Sequence, residues 1–322
     1  MNYFLISVSN KNNLELCLKY AMTGFTNSIN GVWTFLEIDK GDYISFLYGA
    51  KAFNLYKVKE KIAIKNAEDI PPWPKVTFSM SGNTYYFPFR LLLEPIRRFE
   101  ESLVRAEFSY VAENLLLRGG YRKTHFQADQ TTLQSVSQMG QIYNQNIDNF
   151  KYSNYELFYP KFTEKKELIK IPEVFLFQEL ILQNVVKNYL EKNKNLEKIL
   201  KSFKINEELK NLEILSEKAL PQGHIDLLIK ESIPIGKSNK IVIEIKKNKA
   251  TKKDVDQLYG YTQELMGECL LGILIAKNFS KELINYAKNK NLGLISYDIN
   301  LELDKNCYCF EEIIKNFSLI CL

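Results

Sequence analysis

Two apolar segments of this chain each carry a carboxylate where burial is expected, and few arrangements tolerate that. Residues 220–261 read LPQGHIDLLIKESIPIGKSNKIVIEIKKNKATKKDVDQLYGY, a pattern that predicts strand, loop, strand and helix. In the first strand Ile225, Leu227, Leu228 and Ile229 flank Asp226; in the second Ile241, Val242, Ile243 and Ile245 surround Glu244 and lead to Lys246. A buried, unpaired carboxylate costs several kcal/mol, so each acid requires a cation beside it.

Strand alternation decides which groups share a face. Glu244 and Lys246 are two residues apart and project to the same side. If the strands pair with Asp226 opposite Glu244, the three side chains converge. Two carboxylates and a backbone carbonyl, with waters completing an octahedron, describe a Mg²⁺ site. An ammonium beside such a site can hold or deprotonate the water that attacks a phosphodiester. An isolated E-x-K in a strand is ordinarily a solvated ion pair; a Gly-x-Ile-Asp strand, an Ile-rich E-x-K strand and a Q-x-x-x-Y helix in this order favour a hydrolytic centre instead.

Asp226 followed by Glu244-Ile245-Lys246 resembles the D…(D/E)xK core of the PD-(D/E)XK nucleases. Gln257 with Tyr261 resembles the QxxxY element of their RecB-like members. The wording GHIDLL, IVIEIKKNKA, DVDQLYGY and LLGILIA is similar to the catalytic domain of archaeal mismatch endonucleases. The resemblance implies that Asp226 and Glu244 bind the metal, that the Ile245 carbonyl adds a ligand, that Lys246 positions the water and that Gln257 orients the centre. Relatives often supply a further acid from a preceding helix, and Glu179 has that place. Pro221 stands several residues before Asp226, so the literal Pro-Asp pair is missing. His224, at a strand start, reads as structural, and Lys247 as a phosphate contact.

At 322 residues the chain is long enough for two domains, and its hydrophobic fraction of 46% suits a globular protein. A net charge of +5 is compatible with a nucleic-acid partner without requiring one. The five cysteines are scattered and include no Cys-x-x-Cys, and there are two histidines, so neither a disulfide framework nor a Cys/His metal site is indicated. The start MNYFLISVSNKNN lacks the features of a signal peptide, and no apolar run reaches the roughly 18 residues of a membrane span. A cytoplasmic protein with no membrane partner is expected.

The first part of the chain is aromatic-rich, and short strands separated by Gly and Pro turns predict a small barrel. Strands are expected at 3–8, 43–48, 52–58 and 85–93. GVW at 31–33, KGDYISFLYG at 40–49, PPWP at 71–74 and YYFPFRLLLEP at 85–95 come in an order that resembles the EVE domains of the PUA-like superfamily, which includes the YTH readers. Such domains take a flipped, often modified, base into an aromatic pocket, and stacking contributes about 1–3 kcal/mol per base. The resemblance places Trp33 and Trp73 at the pocket walls, with core packing as the plain alternative for both; Tyr48 is a further candidate whose direction strand alternation leaves open. Arg90 and Arg97 are candidate contacts to the DNA backbone, with a structural ion pair or a solvated helix face as the alternatives. Residues 94–118 predict an amphipathic helix, and a second helix follows Thr131.

The expected fold class is α+β: a PUA-like β-barrel with flanking helices over 1–140, a Gln/Asn/Ser-rich linker over 141–165, and an α/β PD-(D/E)XK domain with a mixed central sheet over 166–322. The expected function is Mg²⁺-dependent hydrolysis of double-stranded DNA, with Mn²⁺ able to substitute. The first domain would read a modified, flipped base, as in a modification-dependent restriction enzyme of host defence. Cutting both strands needs two centres, so a homodimer is expected. The rival readings are a nuclease acting on unmodified or mismatched DNA, and a non-catalytic reader.

Overall fold

The structure is a computed structural model of the full chain. It describes all residues except 50, 78, 80–81, 101–123, 145, 148–149, 193, 206–210, 221–222 and 303–304. The chain divides into two compact units, Met1–Pro160 with Lys166–Phe175, and Lys161–Lys165 with Leu176–Leu322.

The first unit contains β1 (Tyr3–Ser7), α1 (Lys11–Tyr20), β2 (Met22–Phe25), α2 (Ile29–Glu37), β3 (Tyr43–Tyr48), β4 (Lys51–Ala63), β5 (Val76–Thr77), β6 (Thr84–Tyr85), β7 (Phe89–Arg98), β8 (His125–Ala128), α3 (Gln130–Ser137) and β9 (Gln141–Ile142). Its main sheet has the order β2-β7-β4-β3-β1-β8, with β9 paired to β7. The β1–β3 pair is parallel and its neighbours are antiparallel. Tyr3, Phe4 and Leu5 of β1 and Ile44 and Phe46 of β3, both interior strands, are fully buried, as expected of strands covered on both faces. The Asn10 side chain caps α1 by accepting the Asn13 amide, and Ser28 caps α2 through Gly31. Gly31 is required by contact: a Cβ there would lie 1.8 Å from the Thr26 carbonyl oxygen.

Two expectations are corrected here. The helix predicted over 94–118 does not begin at 94, because β7 runs on to Arg98 and pairs through Arg97 with both Leu55 and Ile142; its remainder over 101–118 lies outside the described residues, as does Pro221. The linker predicted over 141–165 is instead part of the fold. β9 adds to β7, Ile64 bridges Leu157, and Phe150, Tyr152 and Tyr155 pack on the Ile62–Ile64–Ala67 cluster. The polar composition conceals these apolar anchors.

The second unit begins with β10 (Lys161–Thr163). The unit boundary then falls within β11 (Val174–Leu176), and there follow α4 (Glu179–Glu191), α5 (Asn195–Ser202), β12 (Leu212–Leu220), β13 (Gly223–Glu231), β14 (Lys240–Lys249), α6 (Lys252–Glu264), β15 (Cys269–Asn278), α7 (Lys281–Lys288), β16 (Gly293–Ile299), β17 (Tyr308–Cys309), α8 (Phe310–Lys315) and β18 (Phe317–Cys321). The sheet order is β12-β13-β14-β15-β16-β18. The β14–β15–β16 core is parallel and the flanking pairs are antiparallel, which is the mixed sheet expected. On one face Leu228, Val242, Leu274 and Leu294 pack with Val255 and Leu258 of α6 and Leu283 and Ala287 of α7. Leu227, Ile241, Ile243, Ile273 and Ile275 of alternate parity are buried as well, and α4 packs against β13 and β14. Helices on both sides explain why these strands read as continuous apolar runs. No helix among the described residues is long and apolar enough to cross a membrane.

Candidate active site

The site forms where the pairing of β13 with β14 stops. The ladder runs Lys230↔Lys240, Ile229↔Ile241, Leu228↔Val242, Leu227↔Ile243, and one further step brings Asp226 beside Glu244. Instead of a ladder bond at that step, the Ile245 amide donates to Asp226 Oδ2 at 2.7 Å. Gln183 Nε2, from α4, donates to Asp226 Oδ1 at 2.7 Å. Both carboxylate oxygens are thus held by neutral donors, which fix the rotamer without supplying a charge.

Glu244 is 2% exposed. Its Oε1 accepts Lys246 Nζ at 2.8 Å and Gln257 Nε2 at 3.4 Å. Its Oε2 is buried and has no hydrogen-bond partner among the described residues, and the same holds for Gln183 Oε1. Gln257 Nε2 also lies 2.8 Å from the Tyr261 hydroxyl, as the one-turn spacing on α6 dictates. That helix is started by a capping box between Thr251 and Asp254. The Tyr261 hydroxyl comes so close to the β13 backbone that a Cβ on Gly223 would lie 2.2 Å from it, a physical reason for the glycine in GHIDLL. Glu179 opens α4; its Oε1 is 3.5 Å from Lys246 Nζ and its Oε2 accepts the Lys247 amide at 3.0 Å.

Among the described residues bonded together here, Asp226, Glu244 and Glu179 are acids and Lys246 is the ammonium, so the cluster is net negative when all are ionised. Burial, with the charge of Glu244 next in weight, pushes the Asp226 carboxyl well above the usual range. Burial also raises Glu244, although Lys246 opposes the shift. For Lys246 burial pulls downward, but the charge and hydrogen bond of Glu244, with Asp226 and Glu179, outweigh it and keep the ammonium protonated. It is therefore a donor here.

This donor set fits a hard divalent cation: excess negative charge, oxygen ligands, and one buried carboxylate oxygen without a partner. Among the described residues no group of three or more His, Cys, Asp or Glu side chains is arranged to hold an ion alone. Asp226 and Glu244 would therefore share it with oxygens that are not side-chain ligands. The Ile245 side chain is fully buried, so only its backbone faces this chemistry.

The remaining predicted residues lie elsewhere, and several have other work. Arg90 is fully buried. It donates to the carbonyls of Phe87, Pro71 and Ile70 at 3.1, 2.6 and 2.9 Å and sits between the rings of Trp73 and Phe150; burial pulls its pKa down to about 10. It pins the PPWP turn and is withheld from a phosphate. Trp33 is 4% exposed with its ring 4.5 Å from His125, and Trp73 is 5% exposed, covering Gly24 and Arg90. Both tryptophans are core residues here and present no open face to a base. Tyr48 ends β3 opposite Lys51, and Arg97 is partly exposed on β7. Lys247 is held internally, pairing with Glu164 at 2.7 Å and donating to the Phe177 carbonyl, which corrects its reading as a free phosphate contact.

Sequence reasoning missed Gln183, whose signal was available: it lies one helical turn beyond Glu179 and so shares its face. It also missed Tyr297, whose hydroxyl donates to the Lys247 carbonyl, a contact between strands that local sequence does not reveal.

No protein-family model matches the chain, and no curated protein matches it. Among solved structures, a complex of EndoMS with double-stranded DNA is 22% identical over 31% of this chain and 42% of its own, with a TM-score of 0.23. A repair endonuclease from Pyrococcus abyssi is 21% identical over 31% of this chain and 43% of its own, at 0.23. The MmI1 YTH domain is 16% identical over 36% of this chain and 78% of its own, at 0.25. The chain thus spans less than half the length of the two endonucleases it matches, and at TM-scores this low the likeness carries no chemistry across; that rests on the side chains themselves.

Proposed function

We propose that the second unit is a Mg²⁺-dependent endonuclease that hydrolyses phosphodiester bonds of double-stranded DNA. One observation carries the reading: Asp226 and Glu244 are buried side by side, Lys246 pairs with Glu244, and Glu244 Oε2 has no hydrogen-bond partner among the described residues. Burying two acids at this cost is explained if a cation completes the site. Mg²⁺, or Mn²⁺ in its place, would supply positive charge for the phosphate and lower the pKa of water. Lys246 donates a hydrogen bond toward the attacking water or a phosphate oxygen. Gln183 and the Ile245 amide hold Asp226, and Gln257, backed by Tyr261, holds Glu244. Glu179 fixes the backbone after Lys246.

Incubation of plasmid DNA with the full chain and Mg²⁺ tests this. Cutting is expected, with its loss in EDTA and in Asp226→Ala; cutting that survives both would refute the assignment. The finer reading makes the protein a homodimer whose first unit, a PUA-like barrel, selects a modified base, in restriction of foreign DNA. Its support is the order of the GVW, KGDYISFLYG, PPWP and FPFR pieces, with Tyr48 and Arg97 as the remaining candidates for contact. Matched plasmids with and without methylated or hydroxymethylated bases test that part, and equal cutting of all of them would remove it.

A further inference from the structure

At the carboxyl ends of the parallel strands β15 and β16 the second unit has a cavity of about 230 Å³. This edge is where open α/β sheets place ligands. Its volume is below the roughly 300–1,000 Å³ of sites for larger small molecules and suits one planar ring system. Phe162, Phe177, Tyr297 and Tyr308 supply aromatic walls, the first three buried and Tyr308 partly exposed.

Three lysines, Lys165, Lys277 and Lys305, also line the cavity. Lys305 pairs with Glu312 and Lys165 donates to Asn306 Oδ1. Lys277 is exposed and makes no ion pair among the described residues. The one carboxylate in the lining, Glu164, is neutralised by Lys247 at 2.7 Å. The other polar groups largely satisfy each other: Thr163 Oγ1 donates to the Asn306 carbonyl at 2.8 Å, and the Tyr308 hydroxyl to that of Lys305 at 2.6 Å. Few groups are left to read a hydrogen-bonding edge, whereas an aromatic face accepts any base.

Lys247 joins this cavity to the hydrolytic centre. Its carbonyl takes the Tyr297 hydroxyl, its ammonium reaches Glu164 and the Phe177 carbonyl, and its amide is bonded to Glu179 directly after Lys246. We propose that the cavity receives one nucleobase of the bound strand, next to the phosphate that is cut, by stacking and with little regard to base identity. Lys277 would meet the backbone phosphate of that nucleotide. The assignment of the occupant as a base of the substrate rests on the endonuclease reading above.

The test is photo-cross-linking of the full chain, in Ca²⁺ to limit hydrolysis, to duplexes carrying 5-bromouracil at successive positions along the whole strand, compared with any cut mapped in Mg²⁺. One position should cross-link to the peptide spanning Tyr297 to Tyr308. An abasic site there should weaken binding by about 10- to 100-fold. Ile299→Trp, which fills the cavity, should show the same loss on intact DNA and no further loss on abasic DNA. Tyr308→Ala, at the partly exposed rim, repeats the measurement should Ile299→Trp unfold. Cross-links confined to other peptides, or Ile299→Trp binding intact DNA as wild type does, would overturn the proposal. A chain that cross-links here and never cuts keeps the cavity and loses the hydrolytic reading; one that cuts without such cross-links does the reverse.

Discussion

In the first unit, among the described residues, the buried Arg90, Glu37 and Asp42 each have hydrogen-bond partners in place. Arg90 has three carbonyl acceptors and two aromatic faces, and Glu37 Oε2 meets His125 Nε2 at 2.7 Å while His125 Nδ1 meets Thr34 Oγ1 at 2.9 Å. In the second unit Asp226 and Glu244 are also buried, yet among the described residues Glu244 pairs with Lys246 alone, Asp226 is held by neutral donors, and Glu244 Oε2 has no hydrogen-bond partner. A satisfied buried charge holds a fold together, whereas an unsatisfied one marks a place where something binds. What sets the second unit's cluster apart is the combination of two neighbouring buried acids, one ammonium paired to Glu244 and an open carboxylate oxygen.

The largest effect expected from this contrast is catalytic. Asp226→Ala and Lys246→Ala should each lower DNA cleavage by about 10³-fold or more, the loss of roughly 4 kcal/mol of transition-state stabilisation, read in single-turnover assays on one duplex. Arg90→Ala should act on stability alone. It strands three carbonyls and leaves a cavity, costing about 3–5 kcal/mol, which thermal denaturation would register as a drop of roughly 10 °C. Cleavage at low temperature should persist. If instead Arg90→Ala left stability intact and weakened DNA binding, the division between the two kinds of charge would fail.

The deficit predicts an inversion as well. In EDTA, Asp226→Asn should be more stable than wild type by about 1–2 kcal/mol in thermal denaturation, because it removes a buried charge, keeps an oxygen for the Ile245 amide and lets the Gln183 amide turn so that its Oε1, otherwise without a partner, accepts the new Nδ2. Millimolar Mg²⁺ should stabilise wild type and leave Asp226→Asn unchanged. Smaller still is the effect of Gln183→Leu, which keeps the volume but releases Asp226 Oδ1; a loss of roughly 10-fold in Mg²⁺ affinity is expected, measured by calorimetry. Unchanged affinity there would reduce Gln183 to a packing residue.

The hydrolytic cluster was legible because its signals are local. Alternation puts Glu244 and Lys246 on one face, an acid inside GHIDLL breaks an apolar run, and Q-x-x-x-Y spans one turn of α6. What stayed hidden depends on partners distant in sequence. Nothing near Arg90 announces that the Ile70 and Pro71 carbonyls will fold onto it. Trp33 sits in α2, where residues 31–37 are all buried, so its aromatic character signalled packing as readily as stacking. The 141–160 stretch looked like a linker because Gln and Asn outnumber the few residues, Phe150, Tyr152 and Tyr155, that anchor it.

A divalent ion is expected to make up the charge deficit at Asp226 and Glu244. Anomalous diffraction from crystals of the full chain grown with Mn²⁺ addresses it directly. A single strong peak touching both carboxylates, absent from Asp226→Asn crystals grown alike, is the predicted result. Density showing the two acids bridged by a proton or by Lys246 alone, with Mn²⁺ bound only elsewhere, would contradict it.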